Sequence, residues 1–402
     1  MKRVAVRPRQ MIWRCKRVTQ TSAPQLSSNE RRVLDVIWRE GPIARQDIAR
    51  LTGLTAASIT RLTKQLDDEG LLATSLEKTG SRGNQRQPIS INADGALSFG
   101  VSFSHTFVDV GLMNLGGELL QTIRSPLSKP TVENVASAAK AGVAKLLSSS
   151  RRDRNKIIGI GFALPGDFAS EPPYLQAHAY FPALRGVDIL KSLEPHFEFP
   201  CFVENDCNTA AFGERVLGFG KLYSTFLSVF VGHGIGSGLI IDGNLLRGVH
   251  GNAGAIGYMY PMDQPRPSGQ DLFETAQKNG VAAQDFSDFE KLPFEKNPPI
   301  TKWCERAGSQ LCEGLSIAAR LFDPEAIIIG GRLPPPYLDA LVRWIDVDAF
   351  CAAGAPLRKP VIRASDLGAR AGVIGAAALP IYHTYLRSDM TLASDNYVNG
   401  RR

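Results

Sequence analysis

The residues with the clearest chemical capacity stand together at Val203-Glu204-Asn205-Asp206-Cys207-Asn208. Phe202-Val203 reads as the end of a strand, and Thr209–Leu217 reads as a helix. Amide and carboxylate side chains at a strand end facing a cleft can hydrogen-bond a polyhydroxy ligand. A carboxylate placed there can also take the proton of an attacking hydroxyl. Taken alone, Asn205-Asp206 has a commoner use, as a turn with a helix cap. Two other stretches bear on the choice. Gly232–Gly238 holds four glycines at alternating positions, whose bare amides can cradle an anion. Ser102–Thr106 sits in an equivalent place, yet it has no glycine and carries a phenylalanine and a histidine.

These stretches need strands and tight turns to hold them. Gly100–Leu120 reads as strand, loop, strand, turn at Asn114–Gly117 and third strand, with Val108, Val110 and Leu112 alternating. Ser224–Arg247 repeats that order, with its turn at Asp242-Gly243-Asn244. A repeat at this separation predicts two similar lobes with a cleft between them. A third apolar run, Ala326–Gly331, ends in a glycine pair where a ligand or backbone can approach. From Ala96 onward, strands and glycine turns alternate with helices, an α/β signature.

The chain has 402 residues, 44% of them hydrophobic, which predicts two or three domains with real cores. It has no apolar run long enough for a membrane span. Its basic start, MKRVAVRPRQMIWRCKR, lacks the apolar segment of a secretory signal, so a cytoplasmic protein is expected. Cysteines at 15, 201, 207, 304, 312 and 351 form no C-x-x-C pair, which predicts free thiols and no metal site. Charge is uneven. Residues 1–92 carry 17 Lys and Arg against 8 Asp and Glu, a net of +9, whereas the remaining 310 carry 29 against 31. A basic head on a near-neutral body suits a polyanionic partner.

Within that head, Ser27–Glu30 offers caps for an amphipathic helix through Val33, Leu34, Ile37 and Trp38 that stops at Gly41-Pro42. A second helix follows over about Arg45–Thr52, Gly53 breaks it, and Thr55 caps a third that runs to Asp68-Glu69-Gly70. Ala49, Gly53 and Ile59 have the spacing of a helix-turn-helix: a small residue for close approach, a glycine for the turn and a β-branched residue in the angle. Ile59, Leu62 and Leu66 form the inward stripe of the third helix, leaving Thr55, Ala57, Ser58, Arg61 and Lys64 outward. A small, polar, basic face suits a major groove. Leu71–Ser75 and Pro88–Ile91 read as strands flanking a Gly- and Arg-rich wing, whose Arg82 and Arg86 are candidates for minor-groove or phosphate contact.

The body resembles the ROK family, which groups sugar kinases with sugar-responsive repressors in an actin-like, two-lobed (duplicated ribonuclease H-like) fold. VENDCNTAAFGE at 203–214 is similar to that family's V-E-N-D-A-N motif, and Gly232–Met259, Gly159–Phe168 and Ile327–Leu333 match more weakly. The resemblance implies that Asn205 and Asp206 hold sugar hydroxyls, and that Asp206 would be the base of a kinase. The family's D-x-G-G-T phosphate loop aligns with Ser102, Phe103, Ser104, His105 and Thr106, where only the threonine persists. The family's E-x-G-H becomes Ala255-Ile256-Gly257-Tyr258, and the cysteines of its zinc site have no counterpart in 261–273. Tyr258 then has two readings, a sugar-facing ring or a core aromatic, and Glu274 aligns with a later sugar-binding glutamate.

The expected architecture is a basic tail (1–26), a winged helix-turn-helix (27–92), a two-lobed body (93–388) and a C-terminal tail (389–402). The expected function is a DNA-binding transcriptional regulator of the repressor type that binds an operator as a homodimer or homotetramer and responds to a sugar effector bound between the lobes, with no cofactor, metal or membrane. The alternatives are an ATP-dependent sugar kinase with an appended DNA-binding domain, and a ligand-independent DNA-binding scaffold.

Overall fold

The computed structural model describes residues 23–74, 88–168, 174–177, 180–350 and 358–386. The head begins with α1 (Ser28–Glu40), closed by a capping box in which Ser27 accepts from the Glu30 amide and the Glu30 carboxylate accepts from the Ser27 amide. Helix α2 (Arg45–Thr52) ends at Gly53, whose φ of 68° is the left-handed turn that glycine makes without strain. Helix α3 (Ala56–Asp68) is capped by Thr55 and buries Ile59, Leu62 and Leu66 against α1 and α2. Strands β1 (Leu72–Thr74) and β2 (Ile89–Ile91) pair antiparallel, as a wing requires. Arg82 and Arg86 lie outside the described residues.

The body is two five-stranded sheets built on one plan. The first lobe runs β3 (Leu97–Phe103), β4 (Phe107–Asn114), β5 (Leu119–Pro126), α4 (Val132–Ser150), β6 (Ile157–Leu164), β7 (Gly166–Phe168), β8 (Tyr174–Ala177), β9 (Val187–Asp188), α5 (Ile189–Leu193) and β10 (Cys201–Asn205). Helix α6 (Asp206–Leu217) leads into the second lobe: β11 (Phe226–Val231), β12 (Ile235–Ile241), β13 (Asn244–Leu246), α7 (Gly269–Lys278), α8 (Phe286–Glu290), α9 (Pro298–Phe322), β14 (Ala326–Gly331), α10 (Pro335–Arg343), β15 (Val361–Ala364) and α11 (Arg370–Ile381). The sheets are ordered β5-β4-β3-β6-β10 and β13-β12-β11-β14-β15. Counted along each lobe, both orders are 3-2-1-4-5, with an antiparallel hairpin on one side and parallel strands on the other.

The lobes exchange helices. Helix α6 follows the last strand of the first sheet but packs on β11 and β12, while α11 follows the last strand of the second sheet and packs on β3 and β6. The two helices press together where a Cβ on Gly375 would lie 1.7 Å from the Thr209 carbonyl oxygen, so no larger residue fits that crossing. The head docks on the same helices. Val33, Leu34 and Ile37 of α1 belong to one continuous buried cluster with Phe212 and Val216 of α6 and Ala371 and Ile374 of α11. Polar contacts fix the seam: Trp38 Nε1 donates to the Leu115 carbonyl at 2.9 Å, and an Arg31 terminal nitrogen donates to the His383 carbonyl at 3.1 Å.

Two readings of the sequence change here. The loop expected at Ser102–Thr106 is shorter, because Ser102 and Phe103 pair with Asp109 and Val108 and belong to β3. Gly236 and Gly238 are not loop residues but part of β12. A Cβ on Gly236 would lie 2.5 Å from Cys207 Sγ, and one on Gly238 would lie 2.5 Å from the Ala211 Cβ. Those glycines let α6 approach the sheet, and they form no anion cradle.

Candidate functional site

On α3, Thr55, Ala57, Arg61 and Lys64 are exposed and Ser58 is half-buried, so all five share the face turned away from the head's core. Two of them are partly engaged already. Thr55 Oγ1 accepts from the Ser58 amide at 3.2 Å as the cap, and Arg61 donates to Gln65 Oε1 at 3.0 Å. Thr60 and Gln65 are also exposed on the same helix. Thr63, by contrast, is buried, with its hydroxyl 3.4 Å from Arg45 Nε.

The second site is the cleft, which holds a cavity of about 480 Å³ between the strand ends of the two sheets. Asn205, Asp206 and Tyr258 line it. Asn205 caps α6, its Oδ1 accepting from the amides of Cys207 and Asn208 at 2.9 and 3.0 Å, while its Nδ2 donates to the Gly166 carbonyl at 2.8 Å. Both the cap and the site reading of this residue therefore hold its side chain in one orientation. Beneath it, Glu204 accepts from Asn208 Nδ2 at 3.0 Å and pairs with Arg247 of the second lobe at 2.6 Å, fixing the start of α6. Burial pushes the Asp206 carboxyl up to about 6, against the opposing charge of Arg332, and the neighbouring Asp167 carboxylate adds to the rise. Burial also pushes the Cys207 thiol well up, so it stays protonated beside Asp206.

Tyr258 is 81% exposed at the cavity mouth, which excludes the core-aromatic reading. Its hydroxyl donates to Asp167 at 2.8 Å. Glu274 is not on the cavity wall: it lies exposed on α7, where Gln270 Nε2 donates to it at 3.2 Å. Asp167, Tyr180, Arg185, His233, Arg266 and Arg332 line the cavity and were missed. Asp167, His233 and Arg332 stand inside the family-like stretches, but Arg185 and Arg266 are isolated in sequence and leave no local pattern.

The cavity's far end is closed by side chains from both lobes. His105, central in the first hairpin loop, stacks on Phe181 with centroids 4.2 Å apart and meets His233 of the second lobe edge-on at 4.1 Å. His233 in turn packs against Phe273 and Phe286. His105 Nε2 donates to the Tyr180 carbonyl at 2.6 Å, and burial lowers its pKa, so the ring is neutral at pH 7. Thr106 donates to Asp285 at the start of α8, and Arg332 donates to the Phe103 carbonyl, both across the cleft. The Ser104 and Thr106 amides are engaged within the hairpin, by the Phe107 carbonyl and Ser104 Oγ.

A winged helix seated on the helices that join two lobes of duplicated topology, with polar groups converging between the lobes, defines a two-domain DNA-binding protein with an actin-like body. The chain belongs to the ROK family, which matches residues 98–382, and a winged helix-turn-helix DNA-binding family matches residues 26–73. It is 35% identical over 380 residues to the uncharacterized protein y4fQ of Sinorhizobium fredii, covering 94% of this chain and 97% of that one. It is 26% identical over 382 residues to the N-acetylglucosamine repressor of Escherichia coli O157:H7, covering 87% and 91%. Among solved structures, a ROK family transcriptional regulator homologous to the E. coli MLC protein aligns at TM-score 0.67 and 21% identity, over 89% of this chain and 96% of that one. A ROK family glucokinase from Streptomyces griseus, in complex with glucose and AMPPNP, aligns at TM-score 0.57 and 24% identity over 71% of this chain and 99% of that one. Both structures share the fold, and the regulator's match takes in more of this chain than the kinase's. Among the described residues no helix is long and apolar enough to cross a membrane.

Proposed function

We propose that this protein is a transcriptional regulator that binds duplex DNA through α3 and takes a sugar-like effector in the cleft. The observation that carries this reading is the seam in which α1 shares a buried core with α6 and α11. A change in lobe angle must move those two helices, and the head rests on both. An effector then shifts DNA binding to the extent that it prefers one lobe arrangement over the other. Asn205 and Asp206 hold ring hydroxyls, and Tyr258 covers a sugar face. In the groove, Arg61 reads a guanine edge while Thr55, Ala57 and Ser58 allow close approach and Lys64 meets phosphate. Arg82 and Arg86 extend the contact through the wing. The protein acts as a homodimer or higher oligomer, which presents two heads to two half-sites.

The kinase alternative is disfavoured by the far end of the cleft. A nucleotide's phosphates need free amides and room beside the hairpin loops. Here the Ser104 and Thr106 amides are engaged, and the His105 and His233 rings fill the space between the loops. These residues do not fit a triphosphate, and no phosphoryl-transfer step follows from them. An ADP-release assay across hexoses, pentoses and amino sugars tests this point, and turnover abolished by Asp206→Asn overturns it.

The regulator reading is tested by selecting duplexes from a random library and titrating the winners at several salt concentrations. Arg61→Ala is expected to weaken binding by about 1–3 kcal/mol and relax preference at one base pair. Lys64→Ala is expected to weaken all duplexes alike and reduce the salt slope by about 1. Absence of any sequence-selective complex overturns the reading.

A further inference from the structure

Most guanidinium groups around the cleft have carboxylate company. Arg247 pairs with Glu204, Arg306 with Asp271 and Arg124 with Asp109, while Arg332 lies in the combined field of Asp206, Asp109 and Asp285. Arg266 does not. It is only 7% exposed, yet one terminal nitrogen donates to the Gly257 carbonyl at 2.6 Å, the other rests on the Met262 thioether, and Nε has no partner. A thioether is a weak acceptor. A buried cation with a carbonyl and a sulfur for neighbours is strongly unfavourable without a counter-ion. Arg185 lines the same cavity, is exposed, and has no carboxylate partner among the described residues. Tyr260 also lines the cavity, but its buried, unpartnered hydroxyl lies against Gly314 of α9.

The cavity therefore has two ends of different chemistry. Asp206 feels the charges of Arg332 and Asp167, while the hydroxyls of Tyr180, Tyr258 and Tyr260 all feel Arg266, together with Glu274 and Asp271 at Tyr180, Asp167 at Tyr258 and Glu313 at Tyr260. The hydrogen bond from Tyr258 to Asp167 links the two. Asn205 and Asp206 offer groups suited to ring hydroxyls, and Arg266 brings a guanidinium that has no carboxylate partner and an Nε without an acceptor. At about 480 Å³ the cavity is of ordinary size for a small ligand, room enough for a hexose with one added charged group.

We infer that the effector is an acidic sugar, whose carboxylate or phosphate supplies the counter-ion that Arg266 lacks while Arg185 adds a second positive charge at the cavity. This rests on the reading of the cleft as an effector site. A guanidinium suits either oxyanion, since its planar array of N–H donors matches both geometries.

The test uses the full-length protein and matched sets of compounds built on glucose, galactose, mannose and N-acetylglucosamine. Each set holds the neutral sugar, a form oxidised to a carboxylate and the 6-phosphate. Calorimetric titration at fixed ionic strength is expected to show at least one acidic member binding about tenfold or more tighter than its neutral parent. Carboxylate against phosphate in that set identifies the oxyanion. Arg266→Gln is expected to abolish the margin while leaving the neutral sugar's affinity in place. Arg185→Gln, at an exposed position, is expected to narrow the margin by several-fold and serves if the buried variant does not fold. Neutral sugars binding as tightly as their acidic partners overturns this inference and leaves the regulator reading intact. If no compound in any set binds while selective DNA binding persists, the effector reading fails, and the acidic sugar with it.

Discussion

The hairpin loop of the first lobe is Ser104-His105-Thr106, and the loop at the same place in the second lobe is Gly232-His233-Gly234. The strands around them follow one topology, and each loop carries a histidine at its centre. Those histidines meet at 4.1 Å across the cleft, so loops related by the repeat close against each other. Their flanks differ. Ser104 and Thr106 use hydroxyls to brace the first loop and tie it to Asp285, whereas Gly232 accepts from the Gly269 amide at 2.8 Å and lets α7 come close. Elsewhere in the same cleft, Asn205 and Asp206 line an open cavity. A duplicated scaffold can thus seal one end of its cleft with aromatic rings while the other end stays available to a ligand.

The largest expected effect tests whether the sealed end is a packed core. Phe181 is 5% exposed and touches both His105 and Phe103. Phe181→Ala is expected to cost about 3–4 kcal/mol, through lost burial and the cavity left behind. Urea unfolding measures it. A loss below about 1 kcal/mol would mean that the rings form no packed plug, and the contrast between the two ends would collapse.

The open end makes a different prediction, because it stores an unfavourable charge. The Asp206 carboxyl has an ordinary value of 3.8 and is pushed up to about 6 in the folded protein. The folded state holds this proton more tightly than the unfolded chain. Its contribution to stability is therefore full below pH 3.8 and is lost as pH rises toward 6. Asp206→Asn removes the titration. At pH 7 the variant is expected to be more stable than the parent by up to roughly 3 kcal/mol, with the advantage fading toward pH 4. Burial also pushes Glu214 up to about 7, but it sits away from the cleft against Ser365 and is common to both proteins. Parallel stability profiles for parent and variant between pH 4 and 7 would show that Asp206 is not held in a desolvated wall.

Legibility followed the range of the interactions. Helices α1 to α3 were located from sequence to within a few residues, because Ser27, Gly53 and Thr55 act on their own neighbours. The paired hairpins were legible for the same reason, since alternation and turn residues repeat along the chain. The roles of Gly236 and Gly238 were not. Four alternating glycines look like a loop locally, and what makes them strand residues is α6, whose Cys207 and Ala211 arrive from another part of the chain. Glu274, aligned to a binding role, lies one helical turn from Gln270 on an exposed face of α7. Arg266 carries no spacing signal at all, Arg332 stands only at the end of a weakly matching stretch, and only the closed fold shows which of them has a counter-charge. Residues 261–299 stayed unread because α7 and α8 are short and owe their place to contacts with β12's loop and α9.

The smallest expected effect is the sharpest control on the comparison. Tyr258 and Phe181 are both aromatic and both line the cavity, but Tyr258 is 81% exposed where Phe181 is buried. Truncating an exposed ring forfeits little packing, so Tyr258→Ala is expected to change stability by less than about 0.5 kcal/mol. Its consequence is expected instead in ligand binding, where under the proposed function the ring covers one face of the sugar, while its hydroxyl is bonded to Asp167. Tyr258→Phe separates those contributions, since it keeps the ring and removes a hydrogen bond of about 0.5–1.5 kcal/mol net. The two variants are to be compared by urea unfolding and by titration with whichever sugar binds the parent. Should Tyr258→Ala destabilise the protein as much as Phe181→Ala does, the mouth of the cleft is packed like its far end, and the division between a sealed and an open side has no physical basis.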